Sequence, residues 1–298
     1  MFFDRFREVY RKGPTLKELT ELYLKYADLK SITQKAHGYH AQHFLRMLGN
    51  RKASGIRVQD MAAFAESQKA RGLAATTIRL RVMIFKAVLH WGQRTGRLKS
   101  NPGEMFTMPK IKTRRTAPPS PEELKQMLAY AVPHLQRVII LGYHLGARIG
   151  PSELFRLKWQ NVDFEQRIVH MPNAAKASGD DFRPVPVRDD LLSKLMEWHV
   201  ADGICPWVIN YKGKPVQSVG YAWHDARVKA SIERRIVPYS LRHAFPTYAL
   251  DHGADLGAVC AIMGHTSSRM VIEVYQHVQT KQLRMAVDAV PCLQFDML

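Results

Sequence analysis

The sequence predicts a mainly α protein in two pieces. The first is an N-terminal four-helix domain. The second is a mixed α/β domain, mostly helical with a small antiparallel sheet. Three observations carry this. Apolar residues recur at spacings of three and four from Thr15 to about residue 100. Asn101-Pro102-Gly103 and a basic, aperiodic stretch then interrupt the pattern. Between Val162 and Val187 the texture changes to short β-like runs before helical spacing resumes. The 298 residues suit one large domain or two ordinary ones, and 46% hydrophobic residues suffice for a core.

Residues 1–13 read as a short charged arm, and 14–105 as the helical domain. Leu16, Leu19, Leu22, Tyr23 and Tyr26 share one face of a first helix. A second helix is expected from about Thr33 to Leu48, and a third from Val58 to Ala70, ended by Gly72. After Thr76 and Thr77, a long amphipathic helix runs through Ile78, Val82, Phe85, Leu89 and Trp91. Its bases include Arg79 and Arg81, expected to face a polyanion. Residues 106–119 read as a basic linker, with Lys110, Lys112, Arg114 and Arg115 able to lie along a phosphate backbone.

The second domain, 120–298, opens with Ser120 as N-cap, Pro121 at N1 and Glu123 closing a capping box. Leu124, Leu128 and Val132 continue that helix's apolar face, and Val138 to Leu145 reads as a buried helix. Arg167–Met171 and Arg183–Val187 read as strands flanking a turn that contains Lys176. Ser152 is expected to start a new helix after Gly150-Pro151. Residues 279–298 form a tail whose Val287, Val290, Leu293 and Phe295 offer some apolar surface.

Charge gives the first functional hint. Lys and Arg total 44 against 26 Asp and Glu, a formal net charge of +18, which points to nucleic acid or another polyanion. Three scattered cysteines without a CxxC pair support neither a disulfide framework nor a cysteine zinc finger. The start, Met1-Phe2-Phe3-Asp4-Arg5, places an acid where a signal peptide needs an apolar run, and no stretch approaches membrane-spanning length. A soluble cytoplasmic protein without membrane association is expected.

Several chemistries are disfavoured. There is no GxxxxGK[ST] or GxGxxG loop, and Gly150-Pro151-Ser152-Glu153-Leu154 fails the GxSxG elbow at its last position. His37, His40 and His43 sit at i, i+3, i+6 with no nearby acid to complete a metal site, so polar or DNA-facing histidines are the expectation. No paired carboxylates suit two magnesium ions. Neither metal nor cofactor is expected.

Four motifs remain: Gly146-Ala147-Arg148, Pro238-Tyr239-Ser240-Leu241-Arg242-His243, Met263-Gly264-His265, and Tyr275 ten residues after His265. Their order and spacing resemble the tyrosine recombinase (phage integrase) family across almost the whole chain. The resemblance implies a core-binding domain followed by a catalytic one, with Arg148, Lys176, Arg242, His265 and Tyr275 as the catalytic set.

The chemistry suits those residue types. Cutting a phosphodiester without metal needs a nucleophile, neutralisation of the crowded negative charge, and a proton for the leaving 5′-oxygen. A tyrosine ester conserves the bond energy for religation. Forked guanidinium groups match the non-bridging oxygens, the role implied for Arg148 and Arg242. Lys176 would be the general acid, His265 a phosphate hydrogen-bond donor and Tyr275 the nucleophile. Arg183 is the nearby rival to Lys176, and Tyr248 the rival to Tyr275, expected instead to pack in the core.

Two positions depart from the family pattern. Tyr239 stands where a histidine is usual, three residues before Arg242. A phenol, with an ordinary pKa of about 10, can contact phosphate but is a poor base at neutral pH. His243 matches a supporting histidine. Pro151 holds the place where an acid commonly follows the first arginine, and Glu153 is the candidate brace two residues later.

The resemblance implies a site-specific DNA recombinase of a phage or mobile element, working on double-stranded DNA in the bacterial cytoplasm or nucleoid. It would be a monomer when free and a homotetramer in the synaptic complex, with an accessory DNA-bending protein as a further partner. In that arrangement two domains close as a C-clamp, and the tail docks on a neighbouring subunit or packs in cis. The alternatives are type IB topoisomerase-like relaxation and a catalytically impaired DNA-binding protein of the same fold.

Overall fold

The computed structural model describes residues 13–108, 117–173 and 181–264, in two compact units divided between Arg114 and Arg115. The basic linker residues Lys110, Lys112, Arg114 and Arg115, the Lys176 turn, His265, Tyr275 and the 279–298 tail lie outside the described residues. No described helix is long and apolar enough to cross a membrane.

Unit one contains four α-helices among its described residues: α1 (Leu16–Tyr26), α2 (Ser31–Leu48), α3 (Val58–Ala70) and α4 (Ala75–Arg94). Thr15 starts α1 through a capping box. Its hydroxyl accepts from the Glu18 N–H at 3.2 Å while Glu18 accepts from the Thr15 N–H at 2.8 Å. The core is aromatic at its centre. Phe44 of α2 stacks on Phe85 of α4 with centroids 4.5 Å apart, and Phe64 of α3 meets both rings edge-on. Phe106 is buried in this core and its carbonyl accepts from Lys86 Nζ at 3.0 Å, so the unit's packing runs past residue 105.

Arg81 overturns its expectation. It is only 6% exposed on the inner face of α4, where its guanidinium donates to Gln68 of α3. Helical spacing sets it one turn before Phe85, on the core side, while Arg79 stays exposed. The histidines are divided as well: His37 Nδ1 lies 2.8 Å from the Tyr23 hydroxyl, whereas His40 and His43 meet the Tyr39 ring edge-on.

Unit two begins with α5 (Pro121–Tyr130) and α6 (Pro133–Leu145). The Ser120 capping box forms as its residues dictate. Val132 does not continue the α5 face. Pro133 cannot extend a helix from behind and instead opens α6, leaving Val132 exposed at its start. Three strands follow, β1 (Val162–Asp163), β2 (Ile168–Pro172) and β3 (Phe182–Pro186), in an antiparallel sheet of order β1-β2-β3 with Val169 opposite Val185. Pro184 and Pro186 lack ladder donors, which suits the edge position of β3. The chain continues as α7 (Asp189–Asp202), a small hairpin of β4 (Asn210–Tyr211) and β5 (Lys214–Pro215), α8 (Gly220–Lys229), α9 (Ser240–Asp251) and α10 (Leu256–Met263). Lys212 and Gly213, both with positive φ, make the turn of this hairpin, and Lys214-Pro215 is its return strand.

A buried ion pair ties α6 to the end of α7. Arg137 forks onto Asp202 at 2.6 and 2.9 Å, and Trp159 Nε1 and Asn210 Nδ2 each donate to the same carboxylate at 3.0 Å. The entry to α5 is strapped likewise. Arg234 donates to the carbonyls of Ala117 and Pro118, and the Tyr248 hydroxyl donates to Pro119 O at 3.2 Å.

Candidate active site

Arg148 and Arg242 lie more than ninety residues apart in sequence and meet at one carboxylate. The meeting follows from how α6 ends. Gly146 takes a left-handed φ of +58°, and a Cβ there would lie 2.7 Å from the Phe245 ring of α9. Upstream, a Cβ on Gly142 would lie 2.6 Å from Ile149 and 3.0 Å from Leu241. The two glycines let α6 and α9 approach closely. Arg242, on the first turn of α9, thereby donates to Gly146 O at 2.7 Å.

No helix starts at Ser152. The chain turns tightly from Gly150, and only a short 3-10 segment, Leu154–Arg156, follows. The Leu154 N–H donates back to Arg148 O at 3.2 Å and the Phe155 N–H to Gly150 O at 3.0 Å. This turn drives Glu153 inward, where it is 0% exposed. A buried carboxylate needs partners, and it has three arginines. Oε1 accepts from the Arg148 guanidinium. Oε2 accepts from the Arg148 N–H at 2.9 Å and Arg183 Nη2 at 2.8 Å, and lies 3.6 Å from Arg242 Nη1.

The last carbonyls of α10 complete the frame. Met263 O accepts from Arg242 Nη2 and Ile262 O from Arg183 Nε, both at 2.7 Å. Cations suit the negative end of a helix. Gly264 ends α10 in a left-handed turn with φ +65°, and a Cβ there would lie 3.2 Å from the Arg183 guanidinium.

The electrostatics follow from this packing. Burial pushes the Glu153 carboxyl up, but the Arg183 charge, the Arg148 N–H and Arg242 outweigh it and hold it below its ordinary value. Burial pushes Arg242 down to about 10; Arg148 and Arg183 act in the same direction and Glu153 against it. Arg242 therefore stays charged at neutral pH. Burial and then the Arg242 charge lower His243 below the ordinary imidazole value.

Of the expected site residues, Arg148, Glu153 and Arg242 come together here. Tyr239 is 45% exposed at the start of α9 and meets the His243 ring edge-on at 5.3 Å. Tyr248 is half-buried and held to Pro119. Arg183 was legible only as a rival for the lysine. Its signal lay in the period-two pattern of β3, which sets Arg183 on the buried face with Val185.

The phage integrase family model matches residues 120–282. The tyrosine recombinase XerC of Xanthomonas axonopodis pv. citri is 24% identical over 245 residues, covering 76% of this chain and 75% of the relative. XerD of Staphylococcus aureus is 32% identical over 154 residues, and there the chain spans about half the relative's length, 48% of this chain matching 49% of that one. Among solved structures, the Tn1549 transposon integrase in complex with a circular intermediate DNA has a TM-score of 0.76 at 20% identity, covering 93% of this chain and 100% of that one. A lambda integrase tetramer bound to a Holliday junction has a TM-score of 0.75 at 17% identity, covering 91% and 80%. The chain belongs to the phage integrase family, and its class is that of the tyrosine site-specific recombinases.

Proposed function

We propose that this protein cuts and rejoins DNA strands at a specific site through a 3′-phosphotyrosyl intermediate, integrating or excising a phage or mobile element. One observation carries the reading. Three guanidinium groups, of Arg148, Arg183 and Arg242, converge on the one buried carboxylate of Glu153. Forked guanidinium donors match the non-bridging oxygens of a phosphodiester, the anion this convergence is suited to bind. Arg148, with its side chain 27% exposed, opens the cluster to solvent.

In this reading Arg148 and Arg242 hold the non-bridging oxygens and stabilise the charge that develops as Tyr275 attacks. Lys176 protonates the leaving 5′-oxygen and His265 hydrogen-bonds the phosphate. Tyr239 occupies the usual histidine position as a phosphate contact, with His243 supporting it. The substrate is double-stranded DNA, met by Arg79 and by the linker cations Lys110, Lys112, Arg114 and Arg115. The working assembly is a homotetramer on two duplexes, formed from monomers in the bacterial cytoplasm and helped by a DNA-bending protein.

Covalent trapping tests this. Wild type and Tyr275→Phe are incubated without metal with a randomised duplex library carrying 5′-phosphorothiolate linkages. An adduct on denaturing gels with wild type alone is expected, and sequencing reads the preferred site. Tight, salt-sensitive binding without adduct favours the impaired DNA-binding reading instead. An adduct whose DNA is relaxed by single subunits favours the topoisomerase-like one.

A further inference from the structure

We propose that Arg183 is a positioning residue for the phosphate-binding arginines. It holds the Glu153 carboxylate against the end of α10, so that Arg148 and Arg242 keep their aim, and it donates no proton to the leaving oxygen. The inference rests on the recombinase reading above.

All three guanidinium nitrogens of Arg183 are engaged. Nε donates to Ile262 O at 2.7 Å and Nη2 to Glu153 Oε2 at 2.8 Å. Nη1 donates to Asn173 Oδ1 at 3.0 Å and, more weakly, to Pro172 O at 3.4 Å. One side chain thus joins β3, the end of β2, the turn after Arg148 and the last turn of α10. Arg242 shares one of these anchors and neighbours another, since it lies against the same Glu153 oxygen and bonds Met263 O beside Ile262 O. A shift of Arg183 therefore moves the supports of both phosphate-binding arginines.

An acid role does not fit. Arg183 is 7% exposed, and all three of its guanidinium nitrogens already donate to protein acceptors. Lysine would not substitute, because one ammonium cannot reproduce a fork spanning a carboxylate and a helix-end carbonyl.

The test uses the duplex recovered by covalent trapping, prepared with three scissile linkages. These are the ordinary phosphodiester, a 5′-phosphorothiolate whose sulfur leaves without a proton, and a methylphosphonate with one non-bridging oxygen replaced by a neutral methyl. Arg183→Gln is expected to cleave the ordinary linkage ~10²-fold more slowly with little change in binding. The deficit should shrink several-fold on the methylphosphonate and persist on the phosphorothiolate. Because Arg183 acts through Glu153, the double variant with Glu153→Gln should be no slower than Glu153→Gln alone. Arg183→Lys carries the same comparison where Arg183→Gln fails to fold. Rescue by the phosphorothiolate overturns the proposal by assigning Arg183 to leaving-group protonation. An equal deficit on all three linkages overturns it too, by reducing Arg183 to a packing element. Failure of wild type to trap any duplex is a different result, which removes the recombinase reading and this inference with it.

Discussion

At Glu153 the chain places one carboxylate where three guanidinium groups converge, so each partner's position depends on the others. Arg148→Ala and Arg242→Ala should each lower the cleavage rate ~10²-fold or more while duplex binding falls far less, a split read by comparing single-turnover cleavage with gel-shift affinity. Glu153 also links the site to pH. Its folded carboxyl lies below the ordinary value, so its contribution to stability is complete above the ordinary glutamate range and is lost as pH falls from there through the folded value. Urea midpoints measured against pH should show a steeper acid-side decline for wild type than for Glu153→Gln. Parallel curves would mean that the carboxylate is not held as the geometry indicates.

Elements matter through their ends. The α6 terminus delivers Arg148 because Gly146 can take a left-handed turn beneath the Phe245 ring. Gly146→Ala adds both backbone strain and a clash, and should destabilise by more than about 1 kcal/mol in chemical denaturation. It should also slow cleavage, since Gly146 O anchors Arg242. Away from the site, Asp202 gathers Arg137, Trp159 and Asn210 at the end of α7. Asp202→Ala leaves Arg137 buried without its anion and should cost about 3 kcal/mol, measured as a shift of the denaturation midpoint.

For the whole molecule, the formal net charge of +18 sets the terms on which the proposed function would bind DNA. Each phosphate neutralised releases counterions, so affinity should fall ~10³-fold or more between about 50 and 200 mM salt. Fluorescence anisotropy on a labelled duplex checks it; a shallow slope would mean that few of the cations meet phosphate. Arg81→Gln should leave that slope unchanged, because Arg81 is spent inside unit one on Gln68, whereas exposed Arg79 should contribute to it.

Local sequence by itself determined the helices of unit one, the Ser120 cap and the β-like character around Val169 and Val185. Periodicity, capping side chains and glycine or proline stops act over one or two turns of chain. It also marked Arg148 and Arg242, because their motifs are short and ordered. It did not determine which cations turn inward: Arg81 and Arg183 read as bases like any others. Nor did it show that Glu153 would be drawn out of a helix start into the core, or that α10 would end on two arginines. Those outcomes depend on what the fold carries alongside a side chain. A charge goes inside only where residues distant in sequence supply its counter-charge and hydrogen bonds, and only the tertiary structure brings those partners together.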